Sequence, residues 1–343
     1  MGGIETMLVN IANEQAAAGA DVSVIVINDL VDPTLESALS AKVALYKLRR
    51  KVGSKNPLPV LRLNALLARL RPDVVHMHSA SLYRYVLLPS ARRRLCCTLH
   101  FMTNPDTPIR SDYRVFAISD AVRDDLKEKY GISSTTVHNG INVSNIRRRE
   151  LSAAPQAEFR MVQIGRLEHD FKGQDILIEA LAILVGRGVR NVSVDFIGEG
   201  PSGQYLKDMA ERLGVSDRIS FLGNRPQSYV FGHLCDYDLL VQPSRKEGFG
   251  LTVAEAMVAG VPVLVSDSQG PAEVVGFGSR GDMFETGNAA ACADAIGRIM
   301  RDGPDAGRVE QAREYIVDNY SVSRTARRYL ELYAELLPQS GGK

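Results

Sequence analysis

The stretch DLLVQPSRKEGFGLTVAEAMVAGVPVLVSD, residues 238–267, decides how the chain folds. Its first six residues, Asp238–Pro243, are an apolar run of the length of a buried strand. Gly248, Phe249 and Gly250 turn the chain into LTVAEAMVAG, a helical segment that ends at Gly260. Pro262–Asp267 then reads as a second buried strand. Buried strands joined through a helix run parallel, with helices on the faces of their sheet.

The same alternation extends outward. Arg160–Gly165 and Val192–Gly198 are strands followed by helices. In the first half Asp21–Ile27, Asp73–His78, Cys96–His100 and Arg114–Ser119 read as buried strands, while Pro59–Leu70 and Asp120–Tyr130 have helical periodicity. The polar, Ala-rich RRRELSAAPQAE, residues 147–158, interrupts both periods and predicts a linker. The expected fold class is α/β: two doubly wound, Rossmann-like domains facing across a cleft, with ligands at the C-terminal ends of the strands. Their expected bounds are residues 1–150 and 151–318. A chain of 343 residues suits two cores better than one. The first half departs from the pattern in one place. A doubly wound sheet is built around its first strand, yet the sequence opens on MGGIETMLVNIANEQAAAG, a Gly turn and a helix, so a strand upstream of this start is expected. Such a strand buries about four apolar side chains at roughly 1.5–3 kcal/mol each.

With 45% hydrophobic and 24% charged residues, the composition is that of a folded globular chain, which excludes disordered and fibrous classes. Cys96, Cys97, Cys235 and Cys292 lack both metal-site pairing and the density of a secreted disulfide scaffold, so buried thiols in a cytoplasmic protein are expected. No run approaches the roughly 18 apolar residues that span a bilayer. The net charge of +1 hides an asymmetry: residues 1–150 carry 21 Lys and Arg against 14 Asp and Glu, leaving 20 against 26 for the remainder. Basic runs at Lys47–Lys51, Arg92–Arg94 and Arg147–Arg149 lack the interleaved aromatics of a single-strand nucleic-acid groove, and no nucleic-acid partner is expected. Solvated faces, an anionic membrane surface or a phosphate-bearing partner account for such runs.

Two segments match the dinucleotide spacing: Gly198, Gly200 and Gly203, and Gly276, Gly278 and Gly281. Pro201 interrupts the first, no acidic-ended strand follows it at the required distance, and the second opens no helix, so neither predicts a nicotinamide cofactor. The GFG turn is different. Its glycines let the backbone approach a ligand, and the helix start that follows favours phosphate. Glu247 precedes the turn and Glu255 lies one turn inside the helix. Taken alone, this stretch has two readings: Glu255 offsets the helix dipole and Glu247 is solvated, or both accept hydrogen bonds from the hydroxyls of one ligand. A second segment, GRLEHDFKGQDILIEAL from Gly165, adds Arg166 and Lys172 on a Gly-flanked loop before a helix, the chemistry of a diphosphate clamp. His76 and His78 share a strand face, but no third ligand is evident and no metal is expected.

In order along the chain stand GGIE (2–5), DVVHMHS (73–79), TLH (98–100), FAISDAV (116–122), VHNGIN (137–142), GRLEHDFKG (165–173), FIGEGP (196–201), FLG (221–223) and EGFGLTVAEA (247–256). This series resembles glycosyltransferase family 4, the retaining, nucleotide-sugar-dependent enzymes of GT-B fold, over nearly the whole chain. The resemblance implies an acceptor-binding first domain, a donor-binding second domain and a terminal helix, residues 319–337, that crosses back to the first. It implies that Arg166 and Lys172 bind the donor diphosphate, Glu247 the sugar hydroxyls and Glu255 the ribose hydroxyls. The backbone of Gly248, Phe249, Gly250, Leu251 and Thr252 would hold sugar and phosphate. Gly3 would meet the diphosphate and acceptor, His100 the transferred sugar and His78 the acceptor. His100, Glu247, Arg166 and Lys172 form the implied catalytic set, and Asn139 and Gly140 the turn that ends the first domain.

The implied activity is that of a retaining hexosyltransferase, moving a sugar from a UDP- or GDP-linked donor to an acceptor hydroxyl without a cofactor. The basic first half points to an acceptor carried on a membrane lipid, as in bacterial capsule, exopolysaccharide or lipopolysaccharide assembly, with peripheral contact at the inner face of the cell membrane. The alternative is a nucleotide-sugar-binding protein or interaction scaffold that keeps the cleft without turnover.

Overall fold

All ladders between the strands are parallel. The computed structural model describes residues 3–29, 31, 33–101, 109–110, 112–150 and 158–337. These fall into two units, Met1–Ile141 with Tyr320–Lys343, and Asn142–Asn319.

The first unit opens with α1 (Gly3–Ala17), β1 (Val22–Asn28), α2 (Pro33–Ala38), β2 (Val43–Arg50), α3 (Leu58–Leu70) and β3 (Val75–Met77). It continues with α4 (Pro89–Arg92), β4 (Leu95–Leu99), β5 (Arg114–Ala117), α5 (Asp120–Tyr130) and β6 (Thr135–Thr136). Among the described residues its strands form two sheets, β1–β2 and β3–β4–β5–β6, where the sequence predicts one. Helix α1 serves both. Ala12 and Ala16 pack on Val24 and Val43 of the smaller sheet, while Met7 and Ile11 join Cys96 and Phe116 of the larger. Helix α5 shows how local sequence sets the ends: the Ser119 hydroxyl accepts from the Val122 N–H at 3.1 Å, and Gly131 ends the helix with a left-handed φ of 65°.

The second unit runs β7 (Phe159–Ile164), α6 (His169–Lys172), α7 (Gln174–Gly186), β8 (Val192–Ile197), α8 (Gly203–Arg212), β9 (Ile219–Gly223) and α9 (Gln227–His233). It continues through β10 (Leu239–Gln242), α10 (Leu251–Val258), β11 (Val263–Ser266), α11 (Gln269–Val274), β12 (Asp282–Phe284), α12 (Ala289–Asp302) and α13 (Ala306–Asn319). The strand order is β12-β11-β10-β7-β8-β9. From β7 the chain winds outward through β8 and β9, then returns to the other side of β7 and winds away through β11. The reversal lies between β7 and β10, and it is at such a reversal, outside the C-terminal ends of the strands, that an open α/β sheet has its ligand crevice. Leu177 and Leu181 of α7, Ile296 of α12 and Phe196 of β8 are fully buried in the core beneath.

Helix α14 (Val322–Leu336) belongs to the first unit, where Val322, Ala326, Tyr329 and Leu332 complete the core around Phe116. Gly140 makes this docking possible, since a Cβ there would stand 2.5 Å from the Val322 Cα. The units divide at Asn142, where the sequence places the boundary at residue 150. The reason is bonding. The Arg147 N–H donates to the Phe231 carbonyl at 2.9 Å, and the Arg149 N–H donates to that of Ala259 at 2.7 Å. Of the predicted linker, residues 151–157 lie outside the described residues. Its arginines are not a free basic face: Arg147, Arg148 and Arg149 pair with Asp236, Glu310 and Asp238. Among the described residues no helix is long and apolar enough to cross a membrane.

Candidate functional site

The crevice beside β7 and β10 collects the sequence-predicted residues of the second unit. Lys172, at the end of the short α6, pairs with Glu247 on the loop after β10, and both side chains are mostly buried. The sequence suggests two cations and two carboxylates as separate sets; the structure joins one of each, Lys172 and Glu247, across the loops. Arg166 is well exposed, at 3.6 Å from Glu168 of its own loop. Glu255 lies in the second turn of α10 and is 9% exposed. Burial pushes its carboxyl up to about 7, against a smaller opposing effect from a hydrogen bond with Gln227.

Several groups outside the predicted set hold the two loops together. Arg245 donates to both oxygens of Asp175 at 2.8 Å and to the His169 carbonyl at 2.9 Å. The Phe171 carbonyl accepts from the Arg245 and Lys246 N–H groups at 2.8 and 3.1 Å. Gln163 of β7 donates to the Lys172 carbonyl at 2.8 Å, and Gln174 to that of Arg166 at 3.0 Å. Two glycines permit the close approach. At Gly173 a Cβ would stand 2.0 Å from the Pro243 carbonyl oxygen, and at Gly270 one would stand 2.5 Å from the Phe249 nitrogen.

The GFG turn enters α10 through Gly250, whose φ of 102° favours glycine. Phe249 is buried and anchors the turn. Leu251 and Thr252 start the helix, where N–H groups have no partner inside it and favour an anion. Gly198 and Gly200, which match the dinucleotide spacing, instead let the next loop cross β7's: a Cβ would stand 2.1 Å from the Gly165 oxygen and 2.4 Å from the Leu167 oxygen respectively.

In the first unit, Gly3 begins α1, and its preceding Gly2 lies outside the described residues. His78 and His100, at the ends of neighbouring strands, stack with centroids 5.2 Å apart and share a hydrogen bond, His78 Nδ1 to His100 Nε2, of 3.0 Å. Burial lowers the His78 pKa to about 4; burial, then the proximity of His78, lowers that of His100 to about 3. Both are therefore neutral near pH 7, and one imidazole donates to the other. His76 is engaged at both ring nitrogens, by Tyr333 at 2.5 Å and Thr98 at 2.8 Å, which leaves none for a metal. Tyr329 completes this network through Thr98 at 2.8 Å.

A switch-point crevice with a Lys–Glu pair, a buried carboxylate and a Gly-turned helix start suits an anionic ligand that also carries hydroxyls. Comparison with known proteins names its kind. Residues 145–316 match the family model described as glycosyl transferases group 1, and residues 1–145 match that of glycosyltransferase family 4. The chain belongs to the group 1 glycosyltransferases. This glycosyltransferase is 33% identical over 189 residues to the D-inositol 3-phosphate glycosyltransferase of Corynebacterium urealyticum, a stretch covering 52% of this chain and 44% of that protein. The chain thus spans less than half the length of that relative. It is 26% identical over 371 residues to the phosphatidyl-myo-inositol mannosyltransferase of Mycobacterium leprae, covering 100% of this chain and 95% of the other.

Among solved structures, Anabaena HepE in complex with UDP-glucose superposes with a TM-score of 0.80 at 21% identity, covering 98% of this chain and 96% of that one. WaaG, a glycosyltransferase involved in lipopolysaccharide biosynthesis, gives 0.76 at 17% identity, covering 100% and 97%. At these identities the likeness concerns the fold, which is GT-B.

Proposed function

We propose that this glycosyltransferase moves a hexosyl group, with retention of configuration, from a UDP- or GDP-linked donor to the hydroxyl of a lipid-borne acceptor in bacterial capsule, exopolysaccharide or lipopolysaccharide assembly. The observation that carries the reading is the Lys172–Glu247 pair at the switch point, beside the start of α10. Lys172 and Arg166 stabilise the departing diphosphate, a carboxylate at Glu247 accepts from sugar hydroxyls, and Glu255 accepts from the ribose. His100 meets the transferred sugar and His78, bonded to it, meets the acceptor and fixes the tautomer of its neighbour. As the anomeric carbon–oxygen bond to phosphate breaks, the acceptor oxygen bonds the same face of that carbon, and its proton passes to the leaving phosphate. This scheme calls for neither a metal nor a cofactor. The lipid-borne acceptor is supported by the names of the mannosyltransferase relative and of WaaG, together with the basic first half of the chain.

The test is transfer and hydrolysis of labelled UDP- and GDP-sugars by the wild type, Lys172→Ala and Glu247→Gln. Each substitution is expected to cost roughly 10²-fold or more in turnover, the size of a lost transition-state contact. Near-normal turnover in both variants rejects the assignment. Donor-dependent melting without product in the wild type favours the nucleotide-sugar-binding scaffold instead.

A further inference from the structure

Residues 37–105 contain thirteen Lys and Arg but one acidic residue, Asp73. Helix α3 sits inside this segment. It buries Pro59, Leu63 and Leu67 on one face, while Leu58, Leu61, Ala65 and Ala68 are exposed on the opposite face, bordered by Arg62 and Arg69. An outward helix face is ordinarily polar, yet Leu58 is 45% and Leu61 57% exposed. The neighbouring chain extends this apolar face. Asn64 accepts from the Leu87 N–H at 2.7 Å and donates to the Tyr85 carbonyl at 2.8 Å, which brings the exposed Leu87 alongside α3. Before the helix, the turn closed by the Ser54 N–H on the Lys51 carbonyl at 3.0 Å presents Val52, 64% exposed. Four of the eleven exposed large hydrophobics among the described residues therefore lie in this one region. Among the described residues no ion pair engages Lys51, Lys55 or Arg62, in contrast to Arg147–Arg149.

We infer that the outer face of α3, with the Lys51–Ser54 turn and Leu87, docks on an anionic lipid bilayer. Aliphatic side chains rimmed by unpaired cations fit the headgroup–acyl boundary, where the leucines enter the apolar layer and the cations meet lipid phosphate. A nucleic acid fits less well, because its bases stack on aromatic rings and the exposed side chains here are aliphatic. This deepens the lipid-borne acceptor reading, and its purpose rests on that reading. The binding itself is measured separately from turnover.

The chain contains no Trp, so Leu61→Trp introduces one indole at the face in question and Tyr205→Trp places one on the second unit as a control. With vesicles of phosphatidylglycerol and phosphatidylcholine at low salt, the emission of Leu61→Trp is expected to shift to the blue and that of Tyr205→Trp to stay in place. Pure phosphatidylcholine is expected to shift neither. In sedimentation with the anionic vesicles, the triple variant Lys51→Ala, Lys55→Ala, Arg62→Ala is expected to bind about 100-fold more weakly, since each cation near an anionic surface contributes roughly a factor of five. Leu58→Ser with Leu61→Ser is expected to weaken binding at every salt concentration. Donor hydrolysis by these exposed-face variants stays at the wild-type rate. The inference is overturned if the wild type ignores anionic vesicles, if Leu61→Trp shows no shift while the protein sediments, or if the triple variant binds as the wild type does. Preference for an oligonucleotide over the vesicles overturns it too. Vesicle binding without sugar transfer supports the docking face and counts against the proposed activity alone.

Discussion

Glu255 couples the site to pH. Its carboxyl, buried in α10, titrates near 7 against 4.5 in the unfolded chain, so between these values the folded state holds a proton that the unfolded state has released. Stability from this group is present below pH 4.5 and is lost as pH rises through about 7, at most on the order of 3 kcal/mol. Glu255→Gln removes the cost of the buried charge. Its thermal stability is expected to exceed that of the wild type at pH 8 and to match it near pH 4.5, which melting curves at the two values check. Nucleoside binding follows the opposite sense. The ionised carboxylate accepts from hydroxyls with both oxygens, so UDP or GDP binding to the wild type is expected to tighten as pH rises through 7, and Glu255→Gln to flatten that dependence. Lys172 is paired with Glu247, so on the proposed assignment a bound diphosphate competes with that carboxylate for the ammonium. Glu247→Gln is therefore expected to bind free nucleoside diphosphate about 2–5-fold more tightly while losing transfer, a combination that calorimetry and turnover together detect.

At the scale of elements, the loops after β7 and β10 work because glycines let them approach each other. Gly270, in the first turn of α11, lies against the 247–250 turn, where a Cβ would meet the Glu247 oxygen at 2.7 Å. Gly270→Ala is expected to displace that turn and raise the donor KM by at least ~10-fold with the fold intact by circular dichroism; an unchanged KM would show that the turn tolerates the shift. Nothing in SDSQGPAE separates this glycine from an ordinary turn, because the constraint comes from a segment 20 residues earlier in the chain. The role of Arg245 is hidden in the sequence for a similar reason: its partner Asp175 lies 70 residues earlier, in the first turn of α7. Other features were legible. Long apolar runs such as Arg160–Gly165 and the capped Asp120–Tyr130 emerge as β7 and α5 with ends shifted by a residue or less. Strand β2 was hidden because VALYKLRR carries three cations on eight residues and reads as a basic run, and β12 because Asp282–Phe284 is too short for a period to show. The pairing of His78 with His100 joins two strand ends 22 residues apart, which no spacing rule reveals.

At the scale of the molecule, each unit has its own core, and α14 supplies a share of the first. Tyr329 is among the largest fully buried side chains, packed edge-on to Phe116 with centroids 5.4 Å apart and bonded to Thr98 at 2.8 Å. Tyr329→Ala therefore removes ring contacts to Phe116 and His76 and one hydrogen bond to Thr98, at a cost of about 3–5 kcal/mol to the first unit. The residues proposed to hold the donor, Arg166, Lys172, Glu247 and Glu255, all belong to the second unit, Asn142–Asn319. A bound nucleoside diphosphate stabilises the unit that holds these residues, by about 2.7 kcal/mol at a hundred times its Kd, or roughly 5–10 °C for a unit of this size. Calorimetry of the wild type is expected to resolve two transitions. The nucleotide should raise the one that belongs to residues 142–319, and Tyr329→Ala should lower the other. A single transition moved equally by both would mean that the two cores unfold as one cooperative body, and the assignment of stability to separate units would fail.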